Sequence, residues 1–352
     1  MAISSKERRA KIFEVFVRNL DWVAEHKDVN FEPPFTNGYI CPICFDPFFE
    51  KDLDISIPNY LTLEDVPPAS LGGRPIVLTC KSCNSKTGHD LDAHLLNALL
   101  EVDSKTFLPN SEGSATFEID GKKVNGTFKM TDKGEGRLNM EPKRSDPQDF
   151  KFFIDKIQTR TVTKYNTLFY PDKIINEEVT SPKFNMKFHR TYNERKAEVA
   201  LLRIAYLLAF AKLGNGFLIS GPLYQLREQI LNPEKNILPG RVYWIKKEFP
   251  KNLEGVNIIR SPKELQCFLV IFNLHTKSRT TQCAILLPGP TSPGFEIYKY
   301  IEDQFAKGVP ELSFIVEHIP DKDFLNVKEY AFASHIYWER YTDPDFKPNH
   351  RN

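Results

Sequence analysis

"CPIC" at residues 41–44 and "CKSCN" at residues 80–84 decide how the amino-terminal part of this 352-residue chain folds. Each CxxC pair can form one knuckle whose two sulfurs face a single ion, and Zn²⁺ prefers four soft ligands in a tetrahedron. The ligands would be Cys41, Cys44, Cys80 and Cys83. The spacing therefore predicts a structural zinc site. Because a Cys₄ site leaves no position open, this zinc is not expected to take part in catalysis itself.

The whole chain has the composition of a globular protein, with 41% hydrophobic and 26% charged residues. With a net charge of only +1, the chain as a whole does not attract nucleic acid or acidic lipid electrostatically. Any contact with them therefore requires a local cluster of basic residues. The amino terminus lacks the apolar region of a signal peptide. The longest apolar stretch, 197–213, is interrupted by Glu198 and Arg203 and is shorter than the ~20 residues that a bilayer requires. We therefore expect a cytoplasmic protein without membrane contact, in which cysteines bind metal rather than form disulfides.

The sequence predicts an α+β protein with three segments. Residues 1–37 hold an amphipathic helix, expected over 4–27, and a proline-containing lead-in. Residues 38–105 form the compact zinc-binding module. Residues 106–352 form a larger mixed α/β domain.

Particular elements are expected within the third segment. Alternating polar and apolar residues predict β-hairpins over 114–142, with turns at "DG" (120–121) and "NG" (125–126). The apolar residues of 193–214 cover nearly the full circumference of a helix, which indicates a core helix with Asn193 as its N-cap. Strands are also expected at 160–170 and 216–220.

The sequence from the hairpin region through the second cysteine pair is LTLEDVPPASLGGRPIVLTCKSCNSKTGHDLDAHL, residues 61–95. A CxxC pair, an L-T-x-acid-His-V-x-P-x-S-x-G-G loop and an L-x-C-x-x-C-N segment form a layout that resembles the HNH nucleases of the ββα-metal class. The closest resemblance is to the subset with a four-cysteine structural zinc, and it covers about residues 38–100. It implies a zinc-stabilised hairpin and helix that hold one catalytic divalent ion and hydrolyse DNA. Bacterial restriction or phage defence is the family's usual setting.

The resemblance also assigns roles by position. Glu64 takes the place of the acidic metal ligand, and Asn84 takes that of the helix-side ligand. Asp65 takes the place of the general base, where the family has histidine. These oxygen ligands suit Mg²⁺ or Mn²⁺. An aspartate, with an ordinary pKa of about 3.9, is a weaker base than an imidazole with a pKa of about 6.5.

The missing histidine leaves three interpretations open. Asp65 itself binds the catalytic ion while Glu64 has a structural role; or His89 or His94 supplies the base; or the site is degenerate. In the last case the zinc module binds nucleic acid or a partner protein without cleaving anything. Asn84 has a simpler alternative role as a helix cap.

Three basic residues flank the motif and are candidates for holding phosphates of a nucleic acid: Arg74, Lys81 and Lys86. The alternative is that they are solvated loop residues. DNA is the expected partner, and the same residues also suit RNA. A single nuclease centre cuts one strand, so a double-strand break requires a homodimer or two binding events. The carboxy-terminal domain is expected to recognise the target or to sense a regulatory ligand or partner protein.

Overall fold

A computed structural model describes residues 4–32, 34, 36–158, 184–238, 244–245, 248–290, 296–309 and 312–339. Its helices are α1 (Ser5–Ala24), α2 (Lys81–Thr87), α3 (Ala93–Lys105), α4 (Pro147–Gln158), α5 (Glu194–Leu213), α6 (Asn215–Leu218), α7 (Leu223–Leu231), α8 (Glu296–Ala306) and α9 (Ala333–Glu339). The strands of the amino-terminal part are β1 (Tyr39–Ile40), β2 (Pro47–Phe48), β3 (Leu61–Val66) and β4 (Arg74–Cys80). The remaining strands are β5 (Glu112–Ile119), β6 (Lys122–Met130), β7 (Gly136–Met140), β8 (Phe184–Phe188), β9 (Trp244–Ile245), β10 (Gly255–Ser261), β11 (Cys267–His275), β12 (Thr280–Leu287) and β13 (Ile315–His318).

The described chain is α+β, as predicted, and it divides into two compact units. The large unit takes its described residues from 1–96, 192–276 and 280–352, and the small unit takes them from 97–191 and 277–279. None of the described helices is both long enough and apolar enough to cross a bilayer.

The large unit takes described residues from each of the three segments expected from the sequence. In the large unit α1, the cysteine region and α5 share one core, where the rings of Phe16 and Phe210 lie 4.6 Å apart between centroids. The fully buried Tyr206 of α5 donates a hydrogen bond to the Pro42 carbonyl oxygen at 2.7 Å. The cysteine region thus packs against helices that come more than a hundred residues later. The division of the chain into residues 1–37, 38–105 and 106–352 stays a prediction.

The large unit is built around α5 and an antiparallel sheet in the order β13-β10-β11-β12-β9. The Asn193 side chain accepts a hydrogen bond from the Lys196 N–H and caps α5, as expected. Gly214 ends the helix at φ +71°, where a Cβ atom would lie 2.5 Å from Asn19 Oδ1. Burial of α5 on most sides explains its nearly continuous apolar sequence.

The strand expected at 216–220 is wrong, since α6 occupies Asn215–Leu218. A short apolar run is compatible with either a strand or a buried helical turn, and here tertiary contacts decide. The Asn215 N–H donates to Asn19 Oδ1 of α1 at 2.8 Å. Gly216 lies so close to the Ala331 carbonyl oxygen that a Cβ would approach it to 2.3 Å.

The small unit contains an antiparallel sheet in the order β7-β6-β5-β8, and α4 packs beside it. The predicted turn at Asp120–Gly121 is confirmed, with both residues at positive φ. The predicted turn at Asn125–Gly126 is wrong, because these residues lie inside β6. Gly126 is required there for close packing, since a Cβ would lie 2.3 Å from the Asn139 carbonyl oxygen. The expected strand at 160–170 lies outside the described residues.

Candidate functional site

A β-hairpin followed directly by a helix forms the centre of the cysteine region. Strands β3 and β4 pair antiparallel from Leu61↔Cys80 to Val66↔Arg74, and α2 begins at Lys81, immediately after β4. The Cys80 sulfur accepts a hydrogen bond from the Cys83 N–H at 3.4 Å and caps this helix. The ββα order implied by the motif is therefore present.

Four cysteine sulfurs lie close together at the end of the hairpin where β4 ends with Cys80. The Sγ atoms of Cys41, Cys44, Cys80 and Cys83 all lie within 4.8 Å of one another, and none is in a disulfide. A tetrahedral zinc site with Zn–S bonds of about 2.3 Å needs sulfur–sulfur distances of about 3.8 Å. The Cys44 and Cys80 sulfurs are 3.9 Å apart. The four cysteines are thus positioned to hold a metal ion, and they fit structural zinc.

The surroundings of the sulfurs also favour a bound cation. Three of the four cysteines are buried, and Cys44 is half-buried. Burial raises the pKa of the Cys41 thiol, whereas hydrogen bonds from the neighbouring thiols lower the pKa of Cys80. Four thiolates in so small a volume require a positive charge between them, and a divalent ion supplies it.

Glu64, the expected acidic ligand of the catalytic ion, is buried and already paired. The residue is 4% exposed, and its Oε1 forms an ion pair with the Arg203 guanidinium. The other carboxylate oxygen accepts a hydrogen bond from Thr79 Oγ1 at 2.7 Å. Both oxygens of Glu64 are therefore engaged within the protein.

Arg203 links this glutamate to a second acid. Its guanidinium donates through Nη1 to both carboxylate oxygens of Asp92, at 2.9 and 3.1 Å. Arg203 belongs to α5 and is 1% exposed. Burial raises the pKa of Glu64 and of Asp92, although the guanidinium opposes both shifts. The Arg203 guanidinium thus lies between Glu64 of the hairpin and Asp92 of the helical segment that follows it.

Asp92 lies in an irregular part of that helical segment. Residues Gly88–Asp92 form a π-helical turn between α2 and α3. Such turns are uncommon and often occur at functional sites. The turn includes both the half-buried Asp92, which pairs with Arg203, and the exposed His89.

Asp65 differs from its neighbour Glu64 in exposure and in partners. It is half-buried, and among the described residues its carboxylate has no hydrogen bond or ion pair. Burial raises its pKa, and the charge of Arg8 on α1 opposes the shift. The irregularity between Glu64 and Asp65 places the extra residue on β4. Alternation along β3 therefore directs the two acids to opposite faces.

Asn84 joins the helix to the hairpin. Its Nδ2 donates to the Leu63 carbonyl oxygen at 3.1 Å, two residues before Asp65 on β3. Cys80, and not Asn84, caps α2, so the simpler capping role is wrong. The Asn84 side-chain oxygen has no hydrogen-bond partner in the described part of the chain and is available to a ligand.

The two histidines have different environments. His94 accepts a hydrogen bond through Nδ1 from the Asn193 N–H at 3.0 Å, next to the start of α5. His89 is exposed, and the described residues give its ring no hydrogen-bond partner. His89 is therefore the freer of the two candidate bases.

The three flanking basic residues are exposed. Arg74 begins β4 opposite Val66, so it lies at the same end of the hairpin as Asp65. Lys81 begins α2. Lys86 is tied to α7, since its Nζ donates to the Leu231 carbonyl oxygen at 2.9 Å. Arg74 is thus better placed for a ligand at Asp65 than Lys86, whereas Lys81 follows Cys80 at the opposite end of the hairpin.

Within the described residues, the cysteine cluster is the one group of three or more His, Cys, Asp or Glu side chains arranged to hold a single ion. Glu64, Asp65 and His89 do not form a second group of that kind. A catalytic Mg²⁺ or Mn²⁺ therefore stays a prediction, and fewer protein ligands would hold it than the motif implies.

Sequence reasoning missed Arg203 and Asp92. The available signal was a single arginine within the apolar run of α5, because a charge on a helix that is buried on most sides needs a partner. A second arginine, Arg227 of α7, has its guanidinium 4.3 Å from the centroid of the Phe45 ring. Nothing near Arg227 in the sequence indicates that contact.

Comparison with protein-family models, with curated proteins and with solved structures finds no match to this chain. The resemblance to HNH nucleases therefore depends on the motif, to which the structure adds the cysteine cluster and the ββα order.

Proposed function

We propose that the ββα unit is a metal-dependent endonuclease centre in which Asp65 and Asn84 hold the divalent ion. The observation that carries the proposal is the contrast between two adjacent acids. Glu64 is neutralised by Arg203, whereas the described residues leave the Asp65 carboxylate without a partner. This corresponds to the interpretation in which Asp65 is the ligand and Glu64 is structural.

The positions of Asp65 and Asn84 suit such a role. Asn84 of α2 donates to the Leu63 carbonyl oxygen, and two residues of a strand span about 6.7 Å, so Asn84 contacts β3 about that far along the strand from Asp65. Mg²⁺ is commonly held by one or two carboxylates, with water and substrate phosphate completing its shell. Two protein ligands are therefore sufficient when the nucleic acid supplies others.

The remaining roles follow from exposure and charge. A bound Mg²⁺ or Mn²⁺ would polarise the scissile phosphate and stabilise the leaving oxygen. Arg74 and Lys81 would hold neighbouring phosphates. His89 would accept the proton of the attacking water, since His94 is already bonded to Asn193. DNA as the substrate, and restriction or phage defence as the setting, depend on the resemblance alone.

A second candidate function is supported by the Arg203 ion pairs. A guanidinium between Glu64 and Asp92 supplies the positive charge that a metal ion would otherwise bring to these acids. A unit of this kind can keep the zinc and the ββα fold while it binds nucleic acid or a partner protein without cleavage.

Plasmid cleavage separates the two functions. Zinc-loaded protein is incubated with supercoiled plasmid and Mn²⁺ or Mg²⁺, alongside Asp65→Asn and Asn84→Ala. Glu50→Gln is the control, because it makes the same acid-to-amide change at an exposed position of the module, away from Asp65. We expect nicking by the wild type and by Glu50→Gln, with a loss of at least about tenfold in Asp65→Asn.

The contrary result is equally specific. If wild-type protein retards labelled DNA in EDTA, cleaves none of it in Mn²⁺ and binds unchanged after Asn84→Ala, the nuclease proposal is wrong and the binding module is supported. Cleavage that persists in both Asp65→Asn and Asn84→Ala would contradict the proposal, because the active centre would then be at another site or in a contaminating nuclease.

A further inference from the structure

The first cysteine knuckle is contacted by two side chains that lie far away in the sequence. The knuckle itself is a tight turn, in which the Phe45 N–H donates to the Cys41 carbonyl oxygen at 2.9 Å. The Cys41 N–H donates to the Asp46 carbonyl oxygen at 3.0 Å. Phe45 adopts φ +68°, a conformation that residues other than glycine rarely adopt. Such a turn needs external contacts to hold it.

Tyr206 supplies the first of these contacts. Its ring is fully buried in α5, and its hydroxyl donates to the Pro42 carbonyl oxygen at 2.7 Å, between the two cysteines of the knuckle. Burial raises the pKa of Tyr206, so the hydroxyl keeps its proton and remains a donor. Without it, the Pro42 carbonyl would lose this hydrogen bond in a buried environment.

Arg227 supplies the second contact. Its guanidinium lies over the Phe45 ring, 4.3 Å from the centroid, a distance within the range of a cation–π interaction. Its Nη1 also donates to the Leu218 carbonyl oxygen at 3.1 Å, which fixes the side chain against α6. The residue with the unfavourable backbone conformation is therefore covered by an anchored cation.

We propose that Tyr206 and Arg227 are positioning residues of the zinc site, which hold the knuckle in the conformation that presents Cys41 and Cys44 to the metal. Neither is a ligand. Zinc retention at the amino-terminal cysteines then depends on α5 and α7, and the site is complete only when these helices are in place. This inference does not depend on nuclease activity.

Zinc affinity of the full-length protein tests the proposal, measured by competition with a chromogenic chelator. Loss of groups that orient metal ligands typically weakens metal binding about 10- to 100-fold. We expect Tyr206→Phe and Arg227→Met each to weaken zinc binding by about tenfold. Arg227→Lys should fall between Arg227→Met and the wild type, because it keeps the charge but loses the planar group that stacks on Phe45.

Two controls separate positioning from general destabilisation. Tyr224→Phe removes the hydroxyl of an exposed tyrosine on α7 and should leave zinc affinity unchanged. Val270→Ala opens a cavity in the sheet of the large unit and should lower the melting temperature without weakening zinc binding in the folded protein. Equal affinity in the wild type, Tyr206→Phe and Arg227→Met would overturn the proposal. The same holds if Val270→Ala weakens zinc as much as Tyr206→Phe, or if the wild type binds no zinc.

Discussion

Replacement of Arg203 by methionine should be among the most damaging single changes in the large unit. Methionine retains much of the side-chain volume but removes the cation that faces Glu64 and Asp92. Both acids would then be left in a buried site without their counter-charge. Breaking a buried ion pair by removing one partner costs about 3–5 kcal/mol. We expect the free energy of unfolding to fall by that amount at pH 7.

The loss should depend on pH in a defined direction. Burial already raises the pKa of Glu64 and of Asp92 in the folded protein, and removal of Arg203 should raise both further. A carboxyl group with a raised folded-state pKa binds more protons when folded, so stability falls as pH rises between its unfolded and folded pKa values. The defect of Arg203→Met should therefore be largest near neutral pH and should shrink as the pH is lowered toward the ordinary carboxyl range of about 4.

Urea unfolding followed by tryptophan fluorescence measures this effect in the right part of the molecule. All three tryptophans, Trp22, Trp244 and Trp338, belong to the large unit. The triple variant Arg203→Met, Glu64→Gln, Asp92→Asn is the matched control, and it should recover much of the lost stability because no buried charge remains. A loss below about 1 kcal/mol at pH 7, or a loss that grows as the pH is lowered, would refute the reasoning.

Three further outcomes are expected. Removal of zinc by a strong chelator should lower the melting temperature of the large unit, read by tryptophan fluorescence, and an unchanged transition would contradict a structural metal. Tyr39→Phe should lower stability by about 1–3 kcal/mol in urea, because the buried hydroxyl both donates to and accepts from the Leu78 backbone; an unchanged midpoint would argue against this pair of bonds. Gly126→Ala should destabilise the small unit by at least about 1–3 kcal/mol, since its Cβ would meet the Asn139 backbone. Far-UV circular dichroism during heating would show the last effect, and an unchanged profile would contradict it.

Local signals in the sequence were sufficient for several elements. The beginning of α5 follows from Asn193 as a cap, and its end follows from Gly214, which adopts a positive φ. The cysteine cluster was predictable because the spacing within each CxxC pair already brings its two sulfurs together. The structure adds that the two pairs lie next to each other. In both cases the decisive residues are close in sequence.

The features that sequence reasoning missed depend on contacts between distant residues. Arg203 is 139 positions from Glu64, and 111 from Asp92. A charged residue in an apolar helix indicates that a partner exists, but it does not indicate which one. The helical conformation of Asn215–Leu218 is of the same kind, because Asn19 of α1 accepts hydrogen bonds from the backbone and the side chain of Asn215. Such choices are made by packing and not by local propensity.

The pair Glu64–Asp65 places two adjacent acids of one strand in different environments. Successive residues of a strand face opposite sides, so a single pair of acids can serve two environments at once. On one face of β3, Glu64 pairs with the buried guanidinium of Arg203. On the other face, Asp65 is half-buried and lies near the charge of Arg8. An ion drawn to this hairpin would find Glu64 already neutralised and Asp65 without a partner in the described chain. Loss of activity in Asp65→Asn, together with loss of stability in Glu64→Gln, would therefore assign the two acids to different tasks.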